Sequence, residues 1–269
     1  MPGFRPALAY TLFYLGLVVL IPLSTLVFKS VQLSWGEYLE IITNNRVMAS
    51  FRVSFVTSLM AAVVAGLFGF VIAWVLVRYP FPGKRFLDAL IDLPFALPTA
   101  VAGVILATIF QPSGMLGKWL VSAFGVQVAY KPLGIVVALI FIGIPFVVRT
   151  LEPVLQEFDT SMEEAASSLG ATRLQVFSKV IFPNIFPALL TGVSLAFARG
   201  VGEYGSVIFI AGNLPYVSEI VPLLIITKLE QYQYAGATAI ALTMLVVSFL
   251  LLLIVNLLQL WARRRSGQL

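Results

Sequence analysis

Arg199 and Glu203 stand four residues apart in a run of small, apolar and hydroxyl-bearing residues. That spacing places both on one helix face within reach of each other. Charges inside an apolar span turn toward the protein interior or a water-filled cavity. Two readings fit: an ion pair that locks helix packing, or an arginine that partly offsets the charge of a passing anion. With Glu203 alongside, a dianion would be held weakly, which suits a pathway that must release its cargo. A second candidate is Asp92-Leu93-Pro94-Phe95-Ala96-Leu97-Pro98-Thr99, where two prolines break an apolar stretch. Broken helices expose N–H groups that suit anions. Asp92 reads as a cap on the restarting helix and Thr99 as a further hydroxyl, with a simple packing kink as the alternative. Arg149 ends another apolar run, either on the pathway or snorkelling to the interface.

The chain has no cysteine and no histidine. That removes disulfides, thiolate nucleophiles, imidazole bases and histidine metal sites together, so no metal site and no catalytic residue is expected. A membrane protease with two aspartates is disfavoured, because Asp88 and Asp92 sit near a single edge. Gly200, Gly202 and Gly205 match G-x-G-x-x-G, but no strand precedes them, and glycines here serve close helix packing. No phosphate-binding G-x-x-x-x-G-K-[ST] loop is present. Its nearest approach, Gly114 to Lys118, has the wrong spacing and is followed by Trp119. No cofactor is expected on this chain, and any ATP and Mg belong to a partner.

These residues must be positioned in lipid. Of 269 residues, 60% are hydrophobic and 11% charged, whereas soluble domains carry about 25% charged residues. The pI near 9.6 reflects a net charge of only +5, and membrane proteins collect basic residues at their cytoplasmic edges, so nucleic acid is not an expected partner. A span needs roughly 20 apolar residues. Six stretches qualify: Leu8–Phe28, Phe55–Val77, Phe86–Phe110, Leu133–Val148, Asn184–Ala211 and Ala237–Trp261. The third and fifth, broken by prolines and glycines, are the expected cavity-lining spans. The first is read as a retained anchor, being too long for a signal-peptide core. The expectation is an all-α polytopic membrane protein with six transmembrane helices in one domain, 1–269. Lys and Arg place both termini in the cytoplasm, with Arg78, Lys84, Arg85 and Arg263-Arg264-Arg265 deciding.

The longest polar stretch on that inner side, about 152–183, reads as two short helices around a glycine. Ser161 with Glu164, then Thr172 with Gln175, have capping-box spacing; Gly170 suits a left-handed helix end, and Pro183 is expected to close the second helix. Glu163 and Glu164 either favour the helix N-terminus or pair with a basic residue of a partner. Ala165 and Ala166 are small enough to let the helix sink into a groove.

Glu164-Ala165-Ala166, three residues, Gly170, then nine residues to Val180-Ile181-Phe182-Pro183 resembles the EAA loop of ABC-importer permeases. The likeness extends to DLPFALPTAVAG at Asp92–Gly103, IPFVVRT at Ile144–Thr150, GEYGSVIFIAGN at Gly202–Asn213 and KLEQYQYAGATAI at Lys228–Ile240. Together these look like permeases of the sulfate/thiosulfate CysT (CysU) type, with molybdate and tungstate permeases as the runner-up. One departure is Tyr204, where the family often has Phe. The resemblance implies a type I ABC-importer permease fold in the inner membrane and sulfate import by alternating access. It implies a second related permease as heterodimer partner, two copies of a cytoplasmic ATPase docked on Glu163, Glu164, Ala165, Ala166, Gly170 and Thr172, and a periplasmic sulfate-binding protein. Val31–Asn45 and Leu214–Gly236 are the expected docking surfaces for that protein, or a plain aromatic belt. A passive channel would need no such cytoplasmic lever.

Overall fold

The computed structural model describes residues 4–265. Both ends of the expected 1–269 domain, and so the placing of the termini, lie outside those residues. In chain order the helices are α1 (Phe4–Val31), α2 (Trp35–Thr43), α3 (Asn45–Arg78), α4 (Lys84–Ile91), α5 (Leu93–Ala96), α6 (Thr99–Phe110), α7 (Met115–Phe124), α8 (Pro132–Gln156), α9 (Thr160–Ser168), α10 (Arg173–Val201), α11 (Val207–Ile210), α12 (Val221–Glu230) and α13 (Tyr234–Arg265). No strand occurs among the described residues. Five single helices, α1, α3, α8, α10 and α13, are long and apolar enough to cross a membrane. The pair α6 and α7, bent by 44°, makes a sixth.

The core is the triangle of α3, α8 and α10. Helix α3 shows why these helices associate in lipid, where apolar surface alone gives no drive to leave the solvent. Its buried positions are almost all small: Ser50, Ser54, Thr57, Ser58, Ala61, Ala62, Ala65, Gly66, Gly69 and Ala73. Its large residues, Val56, Leu59, Val63, Leu67 and Phe68, are exposed. Small seams let backbones approach and gain dispersion contacts. One close approach is at Val147 of α8, itself fully buried. A Cβ added to Gly192 of α10 would lie 2.8 Å from Val147 Cα, and one added to Gly69 of α3 would lie 2.8 Å from the Val147 side chain. Towards one end this triangle closes with Leu151, Leu155 and Ile185, and towards the other with Ile135, Leu139, Val207 and Ile220. Helices α1 and α13 lie outside it, and none of the apolar window of α1 is buried.

The fifth span ends at Val201, not Ala211, and two further differences from the sequence reading have a clear cause. The third span is not Phe86–Phe110. Helix α4 stops at Ile91, Asp92 to Pro98 holds only the single turn α5, and the membrane-length unit starts at Thr99 and runs through the bend to Phe124. Pro94 and Pro98 each remove an N–H and restrict the preceding residue, and two of them four residues apart favour the break seen here. The second difference is at Pro183, which does not close a helix. Phe177–Ile181 forms a π turn in which the Phe182 N–H reaches back five residues to Phe177 O, and the helix runs on through Pro183 to Val201. A π turn re-spaces the carbonyls that the proline would strike. The same device, Gly16–Leu20, precedes Pro22 in α1.

The segment 214–236, expected to be a surface, is largely interior in its middle. Ser218, Glu219, Ile220, Val221 and Leu224 are buried, and Val221 N–H donates to Ser54 Oγ of α3 at 2.8 Å. Tyr216 and Tyr232, both exposed, flank this plug with positive φ.

Candidate functional site

At the end of the bundle where α3 and α8 finish and α10 begins, the chain forms an exposed foot. Helix α9 is capped by Asp159, whose side chain accepts from Ser161 N–H at 2.9 Å. The expected cap, Ser161, is instead inside the first turn. The Ser161 hydroxyl and N–H hold the Asp159 carboxyl below its ordinary value. Gly170 follows α9 with φ +83°, and Leu169 donates back to Ala165 O, Gly170 to Ser167 O and Ala171 to Ala166 O. That is the left-handed C-terminal turn the glycine permits. Thr172 then caps α10 reciprocally: Thr172 N–H donates to Gln175 Oε1 at 2.8 Å and Gln175 N–H to Thr172 Oγ1 at 3.4 Å.

The foot's glutamates divide. Glu163 accepts from Arg78 Nη2 at 2.6 Å, which ties α9 to the last residue of α3; neither of its two expected roles allowed for a partner in this chain. Arg78 also lies over Trp74, 5.0 Å from the ring centroid. Glu164, Ala165 and Leu169 are exposed, whereas Ala166 packs against the chain's own core.

Beside the foot, Arg149 of α8 gathers three carboxylates. It grips Asp92 with Nε and Nη2, at 2.9 and 2.7 Å, and donates from Nη1 to Asp88 at 2.7 Å and to Glu152. Asp92 therefore caps nothing, since its carboxylate is spent on Arg149. Arg149 is a clasp that holds α4 and the proline break against α8. The sequence reading weighed Asp88 only as half of a disfavoured aspartate pair, and it did not single out Glu152. The i, i+4 spacing of Asp88 and Asp92 on an amphipathic helix was the available signal. Arg149→Ala is expected to lower stability by about 1–3 kcal/mol through stranded, partly solvated carboxylates, measured by melting in detergent. Arg149→Lys should recover only part of this, because an ammonium lacks the two-pronged fork. Full recovery by lysine would refute the clasp.

Deeper in the bundle, Arg199 pairs with Glu203, which is 2% exposed. The same carboxylate accepts from Ser206 N–H at 2.9 Å and Ser206 Oγ at 3.0 Å. Helix α10 ends at Val201, and the Glu203–Ser206 bonds organise the break before α11. Thr99 lies directly against this break, since a Cβ on Gly205 would collide with its Oγ1, and one on Gly103 with Ser206 O. So Thr99, Arg199 and Glu203 share one region, while Asp92 and Arg149 share another near the foot. At the opposite end of the bundle, Arg46 holds the buried Glu219 through two bonds of 2.8 and 2.6 Å, a pair the sequence reading did not join.

A foot of this form on a small-residue bundle can be compared with known families. The family described as "Binding-protein-dependent transport system inner membrane component" matches residues 65–267, well over half of the chain. The chain belongs to that family. Among relatives of this permease, the "Sulfate transport system permease protein CysT" of Escherichia coli (strain K12) is 49% identical over 259 residues, covering 96% of this chain and 93% of that protein. The protein of the same name from Synechocystis sp. is 50% identical over 257 residues, covering 96% and 90%. The crystal structure of a bacterial alginate ABC transporter, in complex with an alginate pentasaccharide-bound periplasmic protein, aligns with a TM-score of 0.79 at 16% identity, covering 97% of this chain and 94% of that one. That similarity shows the shared fold. The permease is accordingly a multi-pass, non-catalytic inner-membrane component of a binding-protein-dependent ABC importer, a system that works with an ATPase and a binding protein.

Proposed function

We propose that this chain is the permease subunit of an ATP-driven importer of sulfate, moving the oxyanion from the periplasm to the cytoplasm by alternating access. The observation that carries the reading is identity near one half, over almost the whole chain, to proteins named as CysT sulfate permeases. In this reading the whole chain is one membrane domain with both termini in the cytoplasm. It pairs with a second, related permease, and two copies of an ATPase, which bind ATP and Mg, dock below. A periplasmic sulfate-binding protein delivers cargo above.

The foot is the coupling element. Glu164, Ala165 and Gly170 present an exposed, small-residue surface to the ATPase, Thr172 starts the rod behind it, and Glu163 with Ala166 fastens it to this chain. Nucleotide-driven closure of the ATPase pair then pushes α9 and, through α10, the break at Glu203–Ser206 that abuts Thr99. Arg149 and Asp92 clasp the inner end of the pathway.

The test is ATP-dependent uptake of labelled sulfate by the complete complex in liposomes, with molybdate as competitor. Uptake that requires ATP and is displaced by sulfate far better than by molybdate or tungstate is expected. Preferential displacement by molybdate would reassign the cargo. Uptake without ATP would make the chain a passive channel.

A further inference from the structure

The foot turns on a joint that packing does not brace. Helix α9 is only nine residues long, and Gly170, which links it to α10, has nothing within 4 Å of where a Cβ would stand. A push delivered to α9 is absorbed by rotation at that glycine unless another contact fixes the helix to the bundle. Ala166 touches the core with a single methyl group. The directional contact comes from Arg78.

An arginine that ends a span needs only to reach the water at the interface. Arg78 is folded back instead, with its side chain 19% exposed. Its guanidinium carbon lies 5.0 Å from the centre of the Trp74 ring, one turn earlier on α3, and 5.8 Å from that of Phe158, in the link between α8 and α9. Both rings are within cation–π range. Nη2 donates to Glu163 of α9 at 2.6 Å, while Nε is buried without a partner. Ring stacking, not a saturated fork of hydrogen bonds, therefore sets where the charge sits. Trp74 in turn meets Phe177 edge-on, with centroids 5.6 Å apart and planes at 84°. Phe177 O is the acceptor that closes the π turn of α10. One side chain thus joins α9, the link before it and α3, and its aromatic platform bears on the start of α10.

We propose that Arg78 is the positioning residue that makes α9 one rigid body with the bundle, so that displacement by the ATPase moves α3 and α10 instead of bending the chain at Gly170. The inference rests on the ATP-driven importer reading above and deepens its coupling step.

Two measurements on the complete complex in liposomes test it. Arg78→Gln is expected to leave ATP hydrolysis by the partner within about twofold of the parent, while sulfate taken up per ATP falls about tenfold. Arg78→Lys should recover less than half of the loss, because an ammonium has no plane to lay against the rings. Glu163→Ala should give a similar loss, and the double variant no greater one, since both side chains act through one contact. A complex that is merely less stable would lose hydrolysis and uptake together. An unchanged ratio of uptake to ATP, or losses that multiply, overturns the proposal. The second measurement does not depend on the cargo. Because this chain has no cysteine, Ser168→Cys on α9 and Leu67→Cys on α3, both exposed, accept a pair of spin labels. In the Arg78 protein their separation should be narrow and should not change when nucleotide is trapped with vanadate. In Arg78→Gln the distribution should broaden and shift with nucleotide. A distribution as narrow as the parent's, or a parent separation that itself moves with nucleotide, overturns the proposal. A parent complex that hydrolyses ATP but imports no sulfate would overturn the sulfate reading alone, and the label separation would still decide the role of Arg78.

Discussion

Glu203→Gln is expected to destabilise the bundle by about 3 kcal/mol, the low end for stranding one member of a buried pair. By the scaling for chains of this size, that is a fall in melting temperature of about 6–12 °C in detergent. Glutamine keeps an oxygen for Ser206 but leaves the Arg199 guanidinium without its counter-charge. The low end applies because the Arg199 side chain is 37% exposed whereas Glu203 is 2% exposed. The double variant Glu203→Gln with Arg199→Leu should recover most of the loss, since removing both charges strands neither. The decisive control is Arg199→Leu alone. If it melts like the parent but no longer imports, the arginine serves the passing anion and the packing interpretation of the pair is wrong.

Gly170→Val is expected to cut ATP-dependent uptake at least tenfold while membrane insertion and the melting of the bundle stay near the parent values. The reason is backbone geometry, not crowding. A Cβ at Gly170 would meet nothing within 4 Å, but its φ of +83° costs an L-residue about 1–2 kcal/mol, and a β-branched residue is the worst fit. The turn would re-form elsewhere and swing α9 off the surface it presents. Gly170→Asn, which tolerates the left-handed region, should retain most uptake. Ala165→Arg should uncouple for a different reason, by placing bulk on the exposed face of α9. Uptake at the parent rate by Gly170→Val would remove the coupling role from the foot.

Local rules found local structure. Thr172 with Gln175, and glycine at position 170, are short-range devices whose partners lie within a few residues, so spacing alone exposes them. Where two local devices competed, the sequence was ambiguous: Asp159 and Ser161 are both good caps, and the aspartate, two residues earlier, gains the longer helix. Hydropathy located every long helix but misread the third span, because it counts the apolar side chains of α4 and ignores what Pro94 and Pro98 do to the backbone. What periodicity cannot supply is pairing at a distance. Arg78 and Glu163 are 85 residues apart, Arg149 and Asp88 61, and Arg46 and Glu219 173. Each needs the three-dimensional bundle before the two charges become neighbours. Arg199 and Glu203, one turn apart, were legible for the opposite reason.

The π turn ahead of Pro183 has a mechanical consequence. At about 1.5 Å per residue, the 29 residues of α10 measure about 44 Å, against about 30 Å of hydrocarbon. The helix therefore exceeds the hydrocarbon by roughly 14 Å, about the length of Arg173–Ile181. The second half of the foot is thus the overhanging end of a shaft whose other end stops at the Glu203 break. Torque applied to the overhang has no slack to take up before it arrives there, whereas α9, joined through Gly170, is moored to α3 by the Glu163–Arg78 pair.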